Sequence, residues 1–270
     1  MGQKHKLTIP AISNFEMEYY YAEEEALYNA RNFPLHLHDN LEIYILLEGD
    51  VSFMVESNLY KVNPFDAVIS KPNEMHNCIL NSNSVHRHLC FWFDPSCDYL
   101  FADFLVHDFG VDNRLSPDEA GKARLAILFE QLKHTTRDKD TQKQFYLCLE
   151  MLDIYRKSIV QKDVAPYLPP MLKTILADIN AHFKKIHDLS YVTEKYFLSQ
   201  STLNRLFRTH LHTTPKMYLE TKRLGYSKIL LKEGKTVLEA CMQAGFPDYS
   251  NYIRLFKTRF GITPGQYRDS

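Results

Sequence analysis

Near its end the chain repeats itself, and that repeat leaves few folds open. Shifted by 49 residues, STLNRLFRTHLHTTPKMY (201–218) falls on SNYIRLFKTRFGITPGQY (250–267) without gaps, and eight of the eighteen positions are identical. Such self-similarity marks one supersecondary unit built twice. Within each copy a helical period separates two faces. Leu203, Leu206, Phe207 and Leu211 share one side of the first helix, and Tyr252, Leu255, Phe256 and Phe260 share one side of the second. The opposite sides carry Ser201, Arg205 and Arg208 in one copy and Ser250, Asn251, Arg254 and Lys257 in the other. Each copy then runs into Thr-Pro, where Pro suits the first position of a new helix. Ahead of the second copy, 237–244 reads as a short helix ended by Gly245-Phe246. A short helix, a glycine turn and a polar-faced second helix make a helix-turn-helix, a unit that lays its second helix in the DNA major groove.

Charge agrees. From residue 166 onward there are sixteen Lys and Arg against eight Asp and Glu, which leaves sixteen against twenty-five in the rest of a chain whose net charge is only -1. A basic module joined to an acidic one fits polyanion binding by the first alone. The bland alternative is a solvated basic face on a tandem packing repeat.

The amino-terminal half reads differently. Segments 41–47, 51–55, 67–69 and 88–93 are aromatic and β-branched and are separated by turn residues, which favours a β-barrel or sandwich. Ser116-Pro117 is expected to cap a helix with Leu125, Leu128 and Leu132 on its apolar face. A polar stretch, 135–142, then precedes a second amphipathic helix through Phe145, Leu149, Leu152 and Ile159, and Pro169-Pro170 opens the helical remainder. The predicted domains are 1–115, 116–165 and 166–270. Five scattered cysteines without a CxxC argue for reduced thiols. The opening MGQKHKLTIP lacks the apolar core of a signal peptide, and no apolar run reaches membrane-spanning length, so a cytoplasmic protein without membrane partners is expected.

The segment TVLEACMQAGFPDYSNYIRLFKTRFGITPGQYR (236–268) resembles the signature of the AraC/XylS family of transcription regulators. The resemblance covers about the last hundred residues. It implies two helix-turn-helix subdomains on either side of a connecting helix, here from near Pro215 to about Leu231, that enter successive major grooves. By position it implies base contacts from Ser201, Arg205, Ser250, Asn251 and Arg254, with Thr202 in the same DNA-facing set. Arg208, Lys216 and Lys257 would touch phosphates. Two positions depart from the family pattern. Tyr196-Phe197 stands where a turn glycine is usual, and Gly225 lies inside the connecting helix, at a cost of about 1 kcal/mol relative to Ala.

His36-Leu37-His38, then Glu42, then Gly49 is similar to the first motif of cupins, and His76 is the natural second-motif histidine, although the glycine expected before it is missing. The fold class implied is α+β and multidomain, with a cupin-like β-barrel, appended helices and an all-α carboxy-terminal domain. The family implies a small-molecule effector in the β-domain, with carbohydrate favoured, and His36, His38, Glu42, His76 and Trp92 as its contacts. It further implies a homodimer formed through the helices after residue 116, double-stranded DNA and RNA polymerase as partners, an activator role, no cofactor and no catalysis. Side-chain alternation puts both imidazoles of HxH on one face, so His36, His38, Glu42 and His76 are also the candidate ligands for zinc, iron or manganese. Three other readings stand beside the effector site. These are polar groups that merely pack or bond to one another, a β-domain that only dimerises, and a metal-dependent cupin enzyme with an accessory helical tail.

Overall fold

The computed structural model describes residues 3–8, 16–21, 34–82, 85–94, 102–105, 107–138, 140–160 and 168–270. They form two compact units. One gathers the described residues of 1–30, 39–72 and 78–165, and the other those of 31–38, 73–77 and 166–270.

The first unit is organised by alternation along two strands, β3 (Leu41–Glu48) and β8 (Arg87–Phe93), which pair antiparallel. Leu41, Ile43 and Ile45 of β3, with Leu89, Phe91 and Phe93 of β8, point into one apolar core. The same core takes Leu125, Leu128, Leu132, Phe145, Leu152 and Tyr155 from two long helices, α2 (Glu119–Asp138) and α3 (Thr141–Arg156). The intervening residues face the other way, and the register sets Glu42 opposite Trp92, Tyr44 opposite Cys90 and Leu46 opposite His88. Around this pair lie β1 (Gln3–Thr8), β2 (Glu16–Tyr21), β6 (Ala67–Ser70), β9 (Arg114–Ser116) and β10 (Ile159–Val160), in the order β1-β2-β8-β3-β6-β9-β10. A second sheet has β4 (Val51–Val55) between β5 (Asn58–Val62) and β7 (His76–Leu80). A short helix, α1 (Ala102–Leu105), precedes β9.

Three local expectations are corrected here. Ser116 ends β9 and gives its hydroxyl to the buried Asp66 at 2.7 Å, so Asp118 caps α2 instead, accepting from the Gly121 N–H at 2.8 Å. The polar stretch 135–142 is mostly helix. The Thr135 hydroxyl bonds back to the Gln131 carbonyl within α2, and Asp140 caps α3 through the Lys143 N–H. Ile159 is not helical but pairs with Ser116 across β9 and β10.

The helical part of the second unit comprises α4 (Pro170–His182), α5 (Ser190–Lys195), α6 (Gln200–Leu211), α7 (Pro215–Lys232), α8 (Val237–Gln243), α9 (Tyr249–Phe260) and α10 (Pro264–Arg268). The expected Thr-Pro starts hold. Thr214 and Thr263 cap α7 and α10, each followed by a proline at the first helical position. The connecting helix α7 also matches its expected limits. It carries a buried guanidinium, Arg223, which donates to the carbonyls of Phe183 and Ile186 just beyond α4. The Phe183 carbonyl is left over at a helix end, and a buried cation at that end satisfies it. On the neighbouring turn of α7, Lys184 lies 3.7 Å over the Tyr226 ring. Leu224, Leu230 and Leu231 of α7 share a core with Cys241, Phe246, Tyr252, Phe256 and Tyr267.

Gly225 has a packing reason. A Cβ there would meet Leu37 Cδ2 at 2.9 Å and the Asn73 carbonyl oxygen at 3.5 Å. The helix gives up about 1 kcal/mol of propensity to let the 34–38 and 73–77 segments lie against it. Nearby, Asn77 Nδ2 donates to the Leu211 carbonyl. Among the described residues no helix is long and apolar enough to cross a membrane.

Candidate DNA-reading face and effector site

The two second helices of the repeat, α6 and α9, present matching outer faces. Leu203 and Phe207 are buried beneath α6 as Tyr252 and Phe256 are beneath α9, which leaves Ser201, Arg205 and Arg208 exposed on one and Ser250, Arg254 and Lys257 on the other. Each helix begins with a side-chain cap the sequence reading passed over. Ser199 accepts from the Thr202 N–H at 3.1 Å, and Asp248 from the Asn251 N–H at 2.6 Å. These caps stand 49 residues apart, so the repeat itself was the signal that would have found them. The hydroxyls of Ser201 and Thr202 both bond to Ser199, at 2.8 and 2.9 Å. Asn251 Oδ1 accepts from the Arg254 guanidinium at 2.7 Å, holding that fork in place. Lys216 is exposed on the first turn of α7, 4.0 Å from Glu220.

The turns before α6 and α9 use the same hydrogen bonds with different residues. After α5, the N–H groups of Phe197 and Leu198 go to the carbonyls of Glu194 and Thr193, and after α8 those of Gly245 and Phe246 go to Met242 and Cys241. This closure places one residue in left-handed backbone. That residue is Phe197 at φ 52° in the first turn and Gly245 at φ 84° in the second. A Cβ on Gly245 would run into the Lys184 carbonyl oxygen, whereas the Phe197 side chain stands 95% exposed. Space, more than φ, decides where a side chain is tolerated. Phe197→Gly is expected to relieve about 1–2 kcal/mol of left-handed strain against roughly 0.5–1 kcal/mol of added chain entropy. The melting temperature of the chain should rise by a few degrees; a fall in calorimetry would mean that the exposed ring makes contacts of its own.

His36, His38 and His76 come together in the second unit, with ring centroids 5.7 Å (36–38), 4.4 Å (36–76) and 4.9 Å (38–76) apart and one nitrogen from each ring within 4.8 Å of the others. The backbones of His36 and His76 exchange a pair of hydrogen bonds, at 3.1 and 2.9 Å. Nδ1 of His36 bonds to the Pro34 carbonyl and Nδ1 of His76 to the Glu74 carbonyl, both at 2.8 Å. Glu42 and Trp92 pair in the first unit, where the indole N–H donates to the carboxylate at 2.6 Å. Trp92 is therefore half-buried on the face of β8 away from the apolar core.

The sequence reading missed the polar cluster beside them. His86 Nε2 and the Tyr44 hydroxyl lie 2.8 Å apart, His86 stacks on His88 at 4.7 Å, and Tyr44 stacks on His88 at 5.3 Å. Burial lowers His86 to a pKa of about 4. Burial and then the neighbouring His86 lower His88 to about 3, so both rings are neutral near pH 7. Burial also pushes the Cys78 thiol up to about 12. Alternation from Glu42 and Trp92 along β3 and β8 leads directly to Tyr44, Cys90 and His88.

Comparison with known proteins gives this geometry a family. Residues 22–148 match the AraC-like ligand binding domain and residues 192–270 the helix-turn-helix domain, together about three quarters of the chain. The transcriptional activator RhaS of Escherichia coli is 24% identical over 245 residues, covering 88% of each chain. An uncharacterized helix-turn-helix transcriptional regulator of Bacillus subtilis, YbfI, is 25% identical over 227 residues, covering 82% of each. Among solved structures, ToxT of Vibrio cholerae covers 96% of this chain and 98% of its own at 12% identity and a TM-score of 0.37. The chain belongs to the AraC family of DNA-binding transcription regulators, with an AraC-like ligand-binding domain ahead of its helix-turn-helix domain.

Proposed function

We propose that this regulator is a cytoplasmic homodimer that activates transcription in response to a small-molecule effector. The observation that carries the DNA-reading part is the exposure of Arg205 and Arg254 at equivalent places on α6 and α9, 49 residues apart. Arg in that position pairs in bidentate fashion with guanine in the major groove. Ser201, Thr202, Ser250 and Asn251 are assigned to the same base-facing set, and Arg208, Lys216 and Lys257 to phosphates. The effector contacts are assigned to His36, His38, Glu42, His76 and Trp92. A half-buried indole beside a carboxylate is a pairing that suits a sugar ring and its hydroxyls, which supports the carbohydrate class. Ile127 on α2 and Tyr146 on α3 are large exposed side chains, which supports dimerisation through that helix pair. Activation, with RNA polymerase as partner, follows the role in the name of RhaS.

The test is selection of bound duplexes from a random DNA pool, with an Arg205→Ala/Arg254→Ala variant as comparison. The full chain should enrich two elements about one helical turn apart. The variant should lose sequence preference and keep salt-sensitive binding, because each bidentate pair contributes about 1–3 kcal/mol of discrimination while phosphate contacts remain. A wild-type chain that enriches nothing sinks the reading.

A further inference from the structure

We propose that Phe197, in the turn before α6, is a DNA contact that selects thymine beside the bases read by Arg205. This rests on the regulator reading and adds to it a side chain that the second copy of the repeat does not share.

A single exposed apolar side chain is ordinary on a protein surface, and so is left-handed backbone at a glycine or an asparagine. Phe197 joins the two in a form that is not ordinary. Among the described residues, three that carry rings take left-handed backbone, namely Phe65, Phe197 and His212. Phe65 packs against the apolar core around β3 and β8, and His212, at the far end of α6, is half-buried. Phe197 is 95% exposed, so burial offsets none of its strain. Backbone strain of this kind persists where function holds it. The equivalent position in the second copy is Gly245, where the Lys184 backbone fills the space a side chain would need. The first copy alone has room for a ring at this point.

The turn carries that ring next to the groove-reading end of α6. In a helix-turn-helix the first residues of the second helix reach base edges. Phe197 lies two residues ahead of Ser199, whose hydroxyl oxygen holds the Thr202 N–H and bonds to the hydroxyls of Ser201 and Thr202. The N–H groups of Phe197 and Leu198 donate to the Glu194 and Thr193 carbonyls at 3.4 and 2.9 Å, so the ring sits on a fixed arm. It is continuous with an exposed face made of Ser201 and Arg205. A phenyl ring has no donor or acceptor to offer a base edge. What it can read in the major groove is the thymine 5-methyl group, and their contact takes both apolar surfaces out of water.

The experiment uses the full-length chain and a duplex it selects, with each thymine replaced in turn by deoxyuridine, which lacks only the methyl group. In the wild type, replacement next to the base pair whose preference Arg205→Ala relaxes should weaken binding about fourfold, the worth of one buried methyl. Phe197→Asn removes the ring and keeps a residue at ease in left-handed backbone. This variant should melt no lower than wild type, bind the thymine duplex about tenfold more weakly and lose nothing further on the deoxyuridine exchange. Its salt dependence should match that of wild type, because no phosphate contact is removed. A Phe197→Asn chain that binds as wild type does, or that keeps the full deoxyuridine loss, overturns the contact and leaves the regulator reading standing. So does a wild-type chain that tolerates the exchange at every thymine. A wild-type chain that selects no duplex at all overturns the regulator reading, and the contact falls with it.

Discussion

Gly245→Ala is expected to destabilise the helical unit by about 3 kcal/mol or more. Two costs add. Left-handed backbone in an L-residue costs about 1–2 kcal/mol, and forcing an extra methyl into a filled space costs typically about 1–3 kcal/mol. The second applies in full because the obstacle is backbone. The added Cβ would overlap the Lys184 carbonyl oxygen and meet the Lys184 carbonyl carbon and Cα at 2.8 Å, with no flexible side chain to swing aside. Calorimetry of the full chain should show the loss. DNA affinity should fall with it, since α9 follows this turn directly. An alanine variant that melts with wild type would mean that the approach of Lys184 to this turn is not a feature of the folded protein.

The second large effect is on pH. His86 and His88 are held neutral by burial, with folded pKa values of about 4 and about 3 against about 6.5 in an unfolded chain. The unfolded state therefore binds more protons below about pH 6.5. The stability these rings contribute is present above that value and is lost as pH falls toward 4 and 3. Each contributes a slope of about 1.4 kcal/mol per pH unit, so the pair removes about 5 kcal/mol between about pH 6.5 and 4.5. That is much of an ordinary domain's stability. Denaturant melts of the full chain across this range should show the steep fall, and His88→Phe, which keeps a ring against Tyr44, should reduce the slope by about 1.4 kcal/mol per pH unit. Equal slopes for the two proteins would mean that His88 is not the buried neutral ring described.

What the sequence made legible was whatever local pattern alone decides. The repeat gave the second helices, their buried faces and the outward arginines, because a period of about 3.6 leaves little choice once Leu203, Phe207, Tyr252 and Phe256 are buried. The start of α7 followed from Thr214-Pro215, a local cap, while its far end came with the family resemblance. The HxH spacing brought two imidazoles together although only His36 pairs there, in an isolated bridge with His76. Failures came where a distant partner chose between local options. Ser116 and Asp118 are both good caps, and only Asp66, fifty residues upstream, claims the serine hydroxyl. Gly225 read as a defect in a helix because its explanation, Leu37, lies almost two hundred residues earlier.

The junction after α4 carries a consequence for how such a protein changes over generations. The short stretch from Phe183 to Ile186 offers two carbonyls to Arg223 of the connecting helix and its Lys184 backbone to the glycine turn of the second copy. A duplication usually yields two parts that can drift, be lost or be traded separately. Here the later copy is seated on a strip of chain that precedes the earlier one, so neither can be exchanged without rebuilding the other's support. Heritable novelty in what this protein reads comes most directly by single substitutions on the outward faces of α6 and α9, which leave that shared strip untouched.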